Sequence, residues 1–434
     1  MINMRHFYSH CYTSVSILGG VVMDNEYSDF DLRENTQRDF DLVVYGATGF
    51  TGALVAEYLH EHHKELSWAI AGRSQTKLAE LKRKIGAPDL ESIVADSTKA
   101  DDMRRLAATS RVIISTVGPY ARYGTPLVEA CAAEGTHYCD LTGEPQWMAS
   151  IFEKVSALAE ETGARLVHCC GFDSIPSDLG VFVAQQTMMK KHDVFATKVS
   201  GRMGKSKGAV SGGTIASMLL AVEQGVSDPA ARKVLNDPYG LYPAELSPGP
   251  DSPDQRGIRW DENFESWTGP FVMAAINGKV VRRSNALASL VYGADFVYDE
   301  SMLVESRRSG LLLAGGLSLG MIALAIGPLR KLIAKRLPQP GDGPSLSERE
   351  NGFFEFFVHA HHPTDQEKDV RICVKGKRDP GYGGTSRMLA QAGLSLAFDD
   401  LYVEGGIWTP ASALGQHLVD RLAHVDITFE EVTF

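Results

Sequence analysis

The run Gly46-Ala47-Thr48-Gly49-Phe50-Thr51-Gly52 has a glycine at every third position and follows a short apolar stretch, Leu42 to Tyr45. Each glycine can do a different job. Gly46 permits a tight exit from a strand, Gly49 lets backbone approach an anion at a helix N-terminus, and Gly52 lets a helix pack close on a strand. The first N–H groups of a helix have no intrahelical acceptor, so they are free to bind that anion. A glycine triplet alone is weak, because plain turns use glycine too. Set between an apolar strand and a helical pattern, it reads as a cradle for the pyrophosphate of a dinucleotide.

A second apolar run, Trp68 to Ala71, ends in Gly72-Arg73-Ser74, and Arg73 lies 21 residues after Gly52. An acid near that position suits a ribose 2′-hydroxyl, whereas an arginine suits a 2′-phosphate. Ser74 and Lys77 add a hydrogen bond and a charge, so NADP is expected in preference to NAD. The alternative is an arginine that is simply solvated at a helix start. Asp96, just past a third strand, is placed to approach the adenine edge. Thr116, Val117, Gly118 and Pro119 follow a fourth strand and are expected near the nicotinamide, with Tyr120 beside them.

These residues need elements to hold them. Strands are expected at Leu42–Tyr45, Trp68–Ala71, Ile93–Ala95, Val112–Thr116, His137–Leu141 and Leu166–Cys169. Helical patterns lie between them, at Phe50–His63, Thr76–Ile85, Asp101–Ala108, Pro126–Glu134 and Gln146–Glu161. This alternation predicts an α/β fold with a Rossmann-type doubly wound parallel sheet, its loops gathered on one ligand-binding edge.

Further on, Phe353–Ala360 and Val370–Gly376 flank a polar turn. Val370, Ile372 and Val374 alternate with Arg371, Cys373 and Lys375, so an antiparallel hairpin in a second, α+β domain is expected. The stretch Val199–Val210 is glycine-rich and basic. It reads as a loop or hairpin turn leading through Ser211-Gly212-Gly213-Thr214 into a helix at Ile215–Glu223. Asp237–Arg256 holds five prolines and reads as a long surface loop. The expected division is a disordered tail over 1–38, a nucleotide domain over 39–178, a substrate and dimerisation domain over 179–395, and a return to the first domain over 396–434.

The motifs GATGFTG, AGRS, STVGPY, YCDLTGE and CGFDSIPSD, in that order, resemble the saccharopine dehydrogenase-like oxidoreductases. Within them the chain is most similar to the trans-acting enoyl reductases of bacterial polyketide-lipid synthesis. The resemblance covers Phe40 to Phe434. It implies NADPH-dependent reduction of a carbon–carbon double bond on a polyketide or fatty-acyl chain. It also implies that Gly405 to Pro410, with the helix after it, returns to the nucleotide domain.

The proton donor for such a reduction is not legible. No tyrosine is followed by lysine four residues later. Tyr120 and Asp173 lie on loops at the expected edge and are the catalytic candidates. Asp173 could equally fix its loop, and Ser177 or Asp178 is expected to cap the helix that follows. Two other functions remain open here: a dinucleotide-binding, lipid-associated protein without turnover, and an amino-acid dehydrogenase of the saccharopine type.

The 434 residues carry 43 basic and 54 acidic side chains, a net charge of −11, which argues against nucleic-acid binding. Six cysteines, Cys169 and Cys170 adjacent and the other four scattered, without a CxxC, suit a reducing cytoplasm. The triplets His60, His62, His63 and His359, His361, His362 read as surface polar residues, so no metal is expected. The acidic run after Val22 and the short apolar piece before it read as a tail, with Met1 and Met23 both open as the start.

One stretch departs from this soluble average. Ser309 to Leu329 is 21 residues without a charge, roughly 31 Å as a helix. Arg307 and Arg308 precede it, and Arg330, Lys331, Lys335 and Arg336 follow. Its five glycines and Pro328 make it a poor simple span. The expectation is a helix or helical hairpin that dips into the inner face of a membrane or lines a lipid tunnel; the alternative is a buried core helix. A homodimer is compatible with the sequence.

Overall fold

The computed structural model describes residues 38–208, 212–250, 254–336 and 343–433. The expected tail, apart from Arg38, lies outside the described residues.

The first half alternates as the hydrophobic pattern requires. β1 (Phe40–Tyr45), α1 (Phe50–His62), β2 (Trp68–Gly72), α2 (Gln75–Lys84), β3 (Glu91–Val94) and α3 (Ala100–Ala108) come first. Then follow β4 (Ser110–Ser115), α4 (Tyr120–Tyr123), α5 (Thr125–Glu134), β5 (His137–Asp140), α6 (Pro145–Thr162) and β6 (Arg165–Val167). Leu42, Val43 and Val44 on β1, and Ile113 and Ile114 on β4, are completely buried, as strands covered on both faces must be. All pairings are parallel, in the order β13-β6-β5-β4-β1-β2-β3. This is the doubly wound Rossmann order with one strand added from the far end of the chain.

The remainder is α7 (Ile175–His192), β7 (Lys198–Lys207), α8 (Gly212–Ser227), α9 (Pro229–Asn236), β8 (Arg259–Asp261), β9 (Ser266–Gly269), α10 (Ala274–Leu287) and β10 (Val297–Val304). After them come α11 (Arg307–Ala325), α12 (Gly327–Ala334), α13 (Leu346–Glu350), β11 (Phe353–His361), β12 (Val370–Gly376), α14 (Thr385–Phe398), β13 (Gly406–Trp408), α15 (Pro410–Ala413), α16 (Gly415–Ala423) and β14 (Ile427–Glu431). The second sheet runs β14-β12-β11-β7-β10-β9-β8, antiparallel except for β7 with β10.

Three readings need correction. Lys198–Lys207 is a strand in the middle of the second sheet, not a loop. Its glycines are packing sites: a Cβ on Gly201 would sit 2.4 Å from the Tyr298 hydroxyl, and one on Gly204 would sit 2.7 Å from Phe357. Arg202 on the same strand is matched by Asp261 and Asp299 at 2.7 and 2.6 Å, so its charge is structural. Second, α7 begins at Ile175, with Ser174 at the cap position and Pro176 in the first turn. Proline is preorganised for that place, and it carries the helix past Ser177 and Asp178, which are buried. Third, the C-terminal return is divided: β13 joins β6, but β14 goes back to β12 in the second sheet.

The two sheets share one continuous apolar core, in which Leu42 and Ile114 of the first meet the cluster that holds Val358 and Ile372 of the second. α14 lies on α1, β4 and β5 of the first domain. A Cβ on its Gly393 would fall 2.4 Å from Ile114, so close approach there requires glycine.

Candidate active site

A cleft of 1160 Å³ opens where the C-terminal ends of β1, β2 and β4 meet the loop before α7. Its floor is the glycine turn. Gly46 has φ +85, a left-handed conformation that disfavours side chains, and a Cβ there would also strike Thr116 and Val117 at 2.7 Å. A Cβ on Gly52 would lie 2.3 Å from the Gly46 carbonyl oxygen. Both glycines are therefore required by geometry. Gly49 is the N-cap of α1 and offers no side chain to cap it. The first-turn N–H groups of α1 thus face the cleft without an internal acceptor, which fits a pyrophosphate.

The expected cofactor residues Gly46, Thr48, Gly49, Phe50, Thr51, Gly52, Arg73, Ser74, Lys77, Thr116, Val117 and Gly118 all line this cleft. Ala47 is buried beneath the turn, and Pro119 is outside the lining. Ser74 caps α2, its hydroxyl accepting the Lys77 N–H at 3.4 Å. Asp96 also lies outside the lining; its carboxylate accepts the Thr98 N–H and hydroxyl at 3.0 and 2.9 Å. Those two hydrogen bonds hold its pKa below the usual range. Its neighbour Ser97 takes the place in the wall.

The two catalytic candidates differ. Tyr120 is 3% exposed and stacks on Trp147. Its hydroxyl donates to the Ser115 carbonyl at 3.0 Å and accepts the Leu141 N–H at 3.4 Å. Burial pushes its pKa well above the ordinary phenol value. Asp173 is partly buried and lines the cleft. Burial alone raises its carboxyl to about 7, so near neutrality a large fraction carries a proton.

The Asp173 loop is held from both sides. The Ser174 hydroxyl donates to Asn277, whose amide donates to Glu300 at 2.7 Å, and the Tyr298 hydroxyl donates to the same carboxylate. Asp178 accepts the Ala411 N–H at 2.8 Å and the Ser284 hydroxyl. Burial raises Asp178 and Glu300 to about 7 as well, but hydrogen bonds inside the fold occupy both.

Sequence reading missed Glu144. It is completely buried and accepts the N–H groups of Tyr120 and Ala121 at 2.8 and 2.9 Å and the Ser217 hydroxyl at 2.6 Å. One carboxylate thereby ties the turn after β4 to α8. The opposite wall comes from α8, with Gly213, Thr214, Ser217 and Met218, and from α11, the segment for which a place along a lipid tunnel was one expectation, with Gly316, Leu317, Gly320, Met321 and Leu324. The Ser211-Gly212-Gly213-Thr214 run was the available signal for α8. Tyr382 closes one end, edge-on to Phe50.

The histidines divide as well. His359, His361 and Asp369 come together, with candidate ligand atoms within 4.8 Å of one another. None of the three lines the cleft, and burial with His361 and Arg371 nearby lowers His359 to about 4. Asp369 is already committed to His359 at 2.7 Å and to the His362 N–H at 2.8 Å.

This fold and cleft define a dinucleotide-dependent oxidoreductase built like saccharopine dehydrogenase. Residues 42–168 match the saccharopine dehydrogenase NADP binding domain. The apo saccharopine dehydrogenase (L-Glu forming) of Saccharomyces cerevisiae superposes over 91% of this chain and all of its own, with TM-score 0.51 at 11% identity, a likeness of fold. A trans-acting enoyl reductase of Mycobacterium tuberculosis is 38% identical over 412 residues, 89% of this chain and 96% of that one. That of Mycobacterium ulcerans is 36% identical over 414 residues, 91% and 98% of the two chains. The chain belongs to this family of trans-acting enoyl reductases.

Proposed function

We propose that the protein uses NADPH, in preference to NADH, to reduce the carbon–carbon double bond of an enoyl group on a long acyl or polyketide chain. One observation carries the reading: a single cleft holds the glycine turn, Asp173, and an apolar wall from α8 and α11. A small polar substrate has no use for that wall, whereas an alkyl chain gains from burying itself there. The activity named for the relatives agrees with it.

NADPH, when bound, supplies a hydride to the β-carbon. The chain's own residues do the rest. The first turn of α1 holds the pyrophosphate, and Arg73 with Lys77 binds the 2′-phosphate. Thr116, Val117 and Gly118, fixed through Glu144, set the floor beneath the reacting carbons. Asp173, protonated near neutrality, gives its proton to the α-carbon as negative charge develops on the enolate. Tyr120 fixes the floor through its hydrogen bond to the Ser115 carbonyl rather than donating a proton. Carbon and hydrogen balance: one hydride and one proton convert the alkene to the saturated chain.

The test is NADPH oxidation with a series of 2-enoyl thioesters of rising chain length. Turnover that rises with chain length, with the saturated product seen by mass spectrometry, supports the reading. NADPH binding without substrate-dependent oxidation overturns it, and activity with lysine or glutamate instead would favour an amino-acid dehydrogenase.

A further inference from the structure

Helices α11 and α12 are apolar on the outside. Leu312 is 78% exposed, Leu319 70%, Ile322 59% and Leu332 50%. The segment is long and apolar enough to cross a membrane, yet only 17% of its most hydrophobic window is buried, so it is not a core helix. Its charge is as unusual as its exposure. Residues 307–336 hold six cations and no acidic residue, in a chain whose net charge is −11. Arg330 turns inward towards Glu223 at 3.7 Å, while Arg307, Arg308, Lys331, Lys335 and Arg336 are exposed.

Crossing a bilayer is excluded by connectivity. β10 and β11, which flank the segment, lie on either side of β7 in one sheet. α11 also packs on β9 and α8 and lends one face to the cleft, through Gly316, Leu317 and Leu324. A span would pull that wall away. A helix lying flat, roughly 28 Å long, keeps the wall and turns the leucines outward.

We propose that α11 and α12 dock the protein peripherally on a bilayer rich in anionic lipid. The leucines enter the headgroup and acyl boundary, and the basic residues at both ends meet the headgroups. Anionic lipid is the occupant that matches the charge; a second copy of this chain would bring the same cations against themselves. The cleft then opens beside the bilayer, with α11 between the lipid and the glycine turn. That last consequence rests on the proposed acyl substrate; the docking does not.

The experiment uses the full chain and sedimentation with vesicles of phosphatidylcholine alone or mixed with phosphatidylglycerol. Binding is expected to the anionic vesicles, weaker on neutral ones, and reduced by salt. A variant carrying Leu312→Glu, Leu319→Glu and Ile322→Glu, none of which lines the cleft, is expected to bind at least about tenfold more weakly. NADPH binding, followed by fluorescence, should stay as in the wild type and certify the fold. Equal binding of variant and wild type overturns the proposal, as does indifference to anionic lipid. Self-association abolished by the same variant, without vesicle binding, overturns it in favour of an interface between copies. Vesicle binding is read without any enoyl substrate, so a failure of the proposed reduction leaves this result standing.

Discussion

The Tyr120 hydroxyl, on a side chain that lines the cleft, donates to the carbonyl oxygen of Ser115 at the end of β4 at 3.0 Å. A proton committed to the backbone in this way is unsuited to transfer, and burial raises its pKa further from neutrality. Tyr120→Phe is expected to lower stability by about 0.5–1.5 kcal/mol, the net worth of one hydrogen bond. Its kcat should stay within about threefold of the wild type, far short of the loss when a general acid is removed. Denaturant melts and steady-state rates on one preparation check both.

Asp173 should behave in the opposite way. Its carboxyl titrates at about 7, so the reactive protonated form disappears as pH rises through that value. The rate is expected to be flat at acid pH and to fall tenfold per pH unit well above 7. Asp173→Asn should lose roughly 10²–10⁴-fold in kcat and lose this limb of the profile, with NADPH affinity nearly unchanged.

The same residue bears on stability, and the sign is fixed by linkage. The folded pKa is raised above the unfolded value, so the native state holds the proton longer. Stability contributed by this group therefore declines as pH rises from the unfolded carboxyl range towards 7. Asp173→Asn should melt close to the wild type at pH 4 and higher than the wild type at pH 8, a measurement for calorimetry.

Arg73 tests the choice of cofactor. It lines the cleft at the end of β2 with Ser74 and Lys77. Removing a charge-assisted contact to phosphate costs about 1.5–3 kcal/mol, roughly 10–100-fold in affinity. Arg73→Ala should weaken NADPH binding by that factor and leave NADH binding within about twofold. Equal losses for both cofactors would place Arg73 outside the 2′-phosphate site.

Glu144→Ala removes the acceptor for two backbone N–H groups and the Ser217 hydroxyl. Leaving buried donors unsatisfied costs about 1–3 kcal/mol each. The variant should show a clearly lower melting temperature and a raised KM for NADPH, because the turn after β4 loses its tie to α8. Ser217→Ala, which removes only one of the three bonds, should be much milder.

The sequence made the first sheet legible chiefly because β1, β2 and β4 are built on apolar runs followed by a glycine or a polar breaker. The glycine turn was legible for the same reason, since Gly46 and Gly52 answer to local geometry. β7 was not legible: Gly201 and Gly204 look like turn residues until Tyr298 and Phe357, far along the chain, are seen to fill the space above them. Glu144 was hidden because its partners Tyr120, Ala121 and Ser217 lie on separate elements. Tyr120 and Asp173 both reach the cleft wall, but only the folded hydrogen bonds show that the Tyr120 hydroxyl is committed to the Ser115 carbonyl. The apolar segment 309–329 stood out by hydropathy, and a place in a tunnel wall was one of its expected roles; that one helix both lines the cleft and stays exposed required the fold.

The central claim is that this cleft reduces an enoyl chain with NADPH and a proton from Asp173. The most direct measurement follows NADPH oxidation by wild type and Asp173→Asn with a long-chain 2-enoyl thioester, with the product weighed by mass spectrometry. The account predicts a saturated product from the wild type and a rate lower by at least about 100-fold in the variant. A variant as fast as the wild type, or a wild type that binds NADPH and leaves the double bond intact, would contradict it.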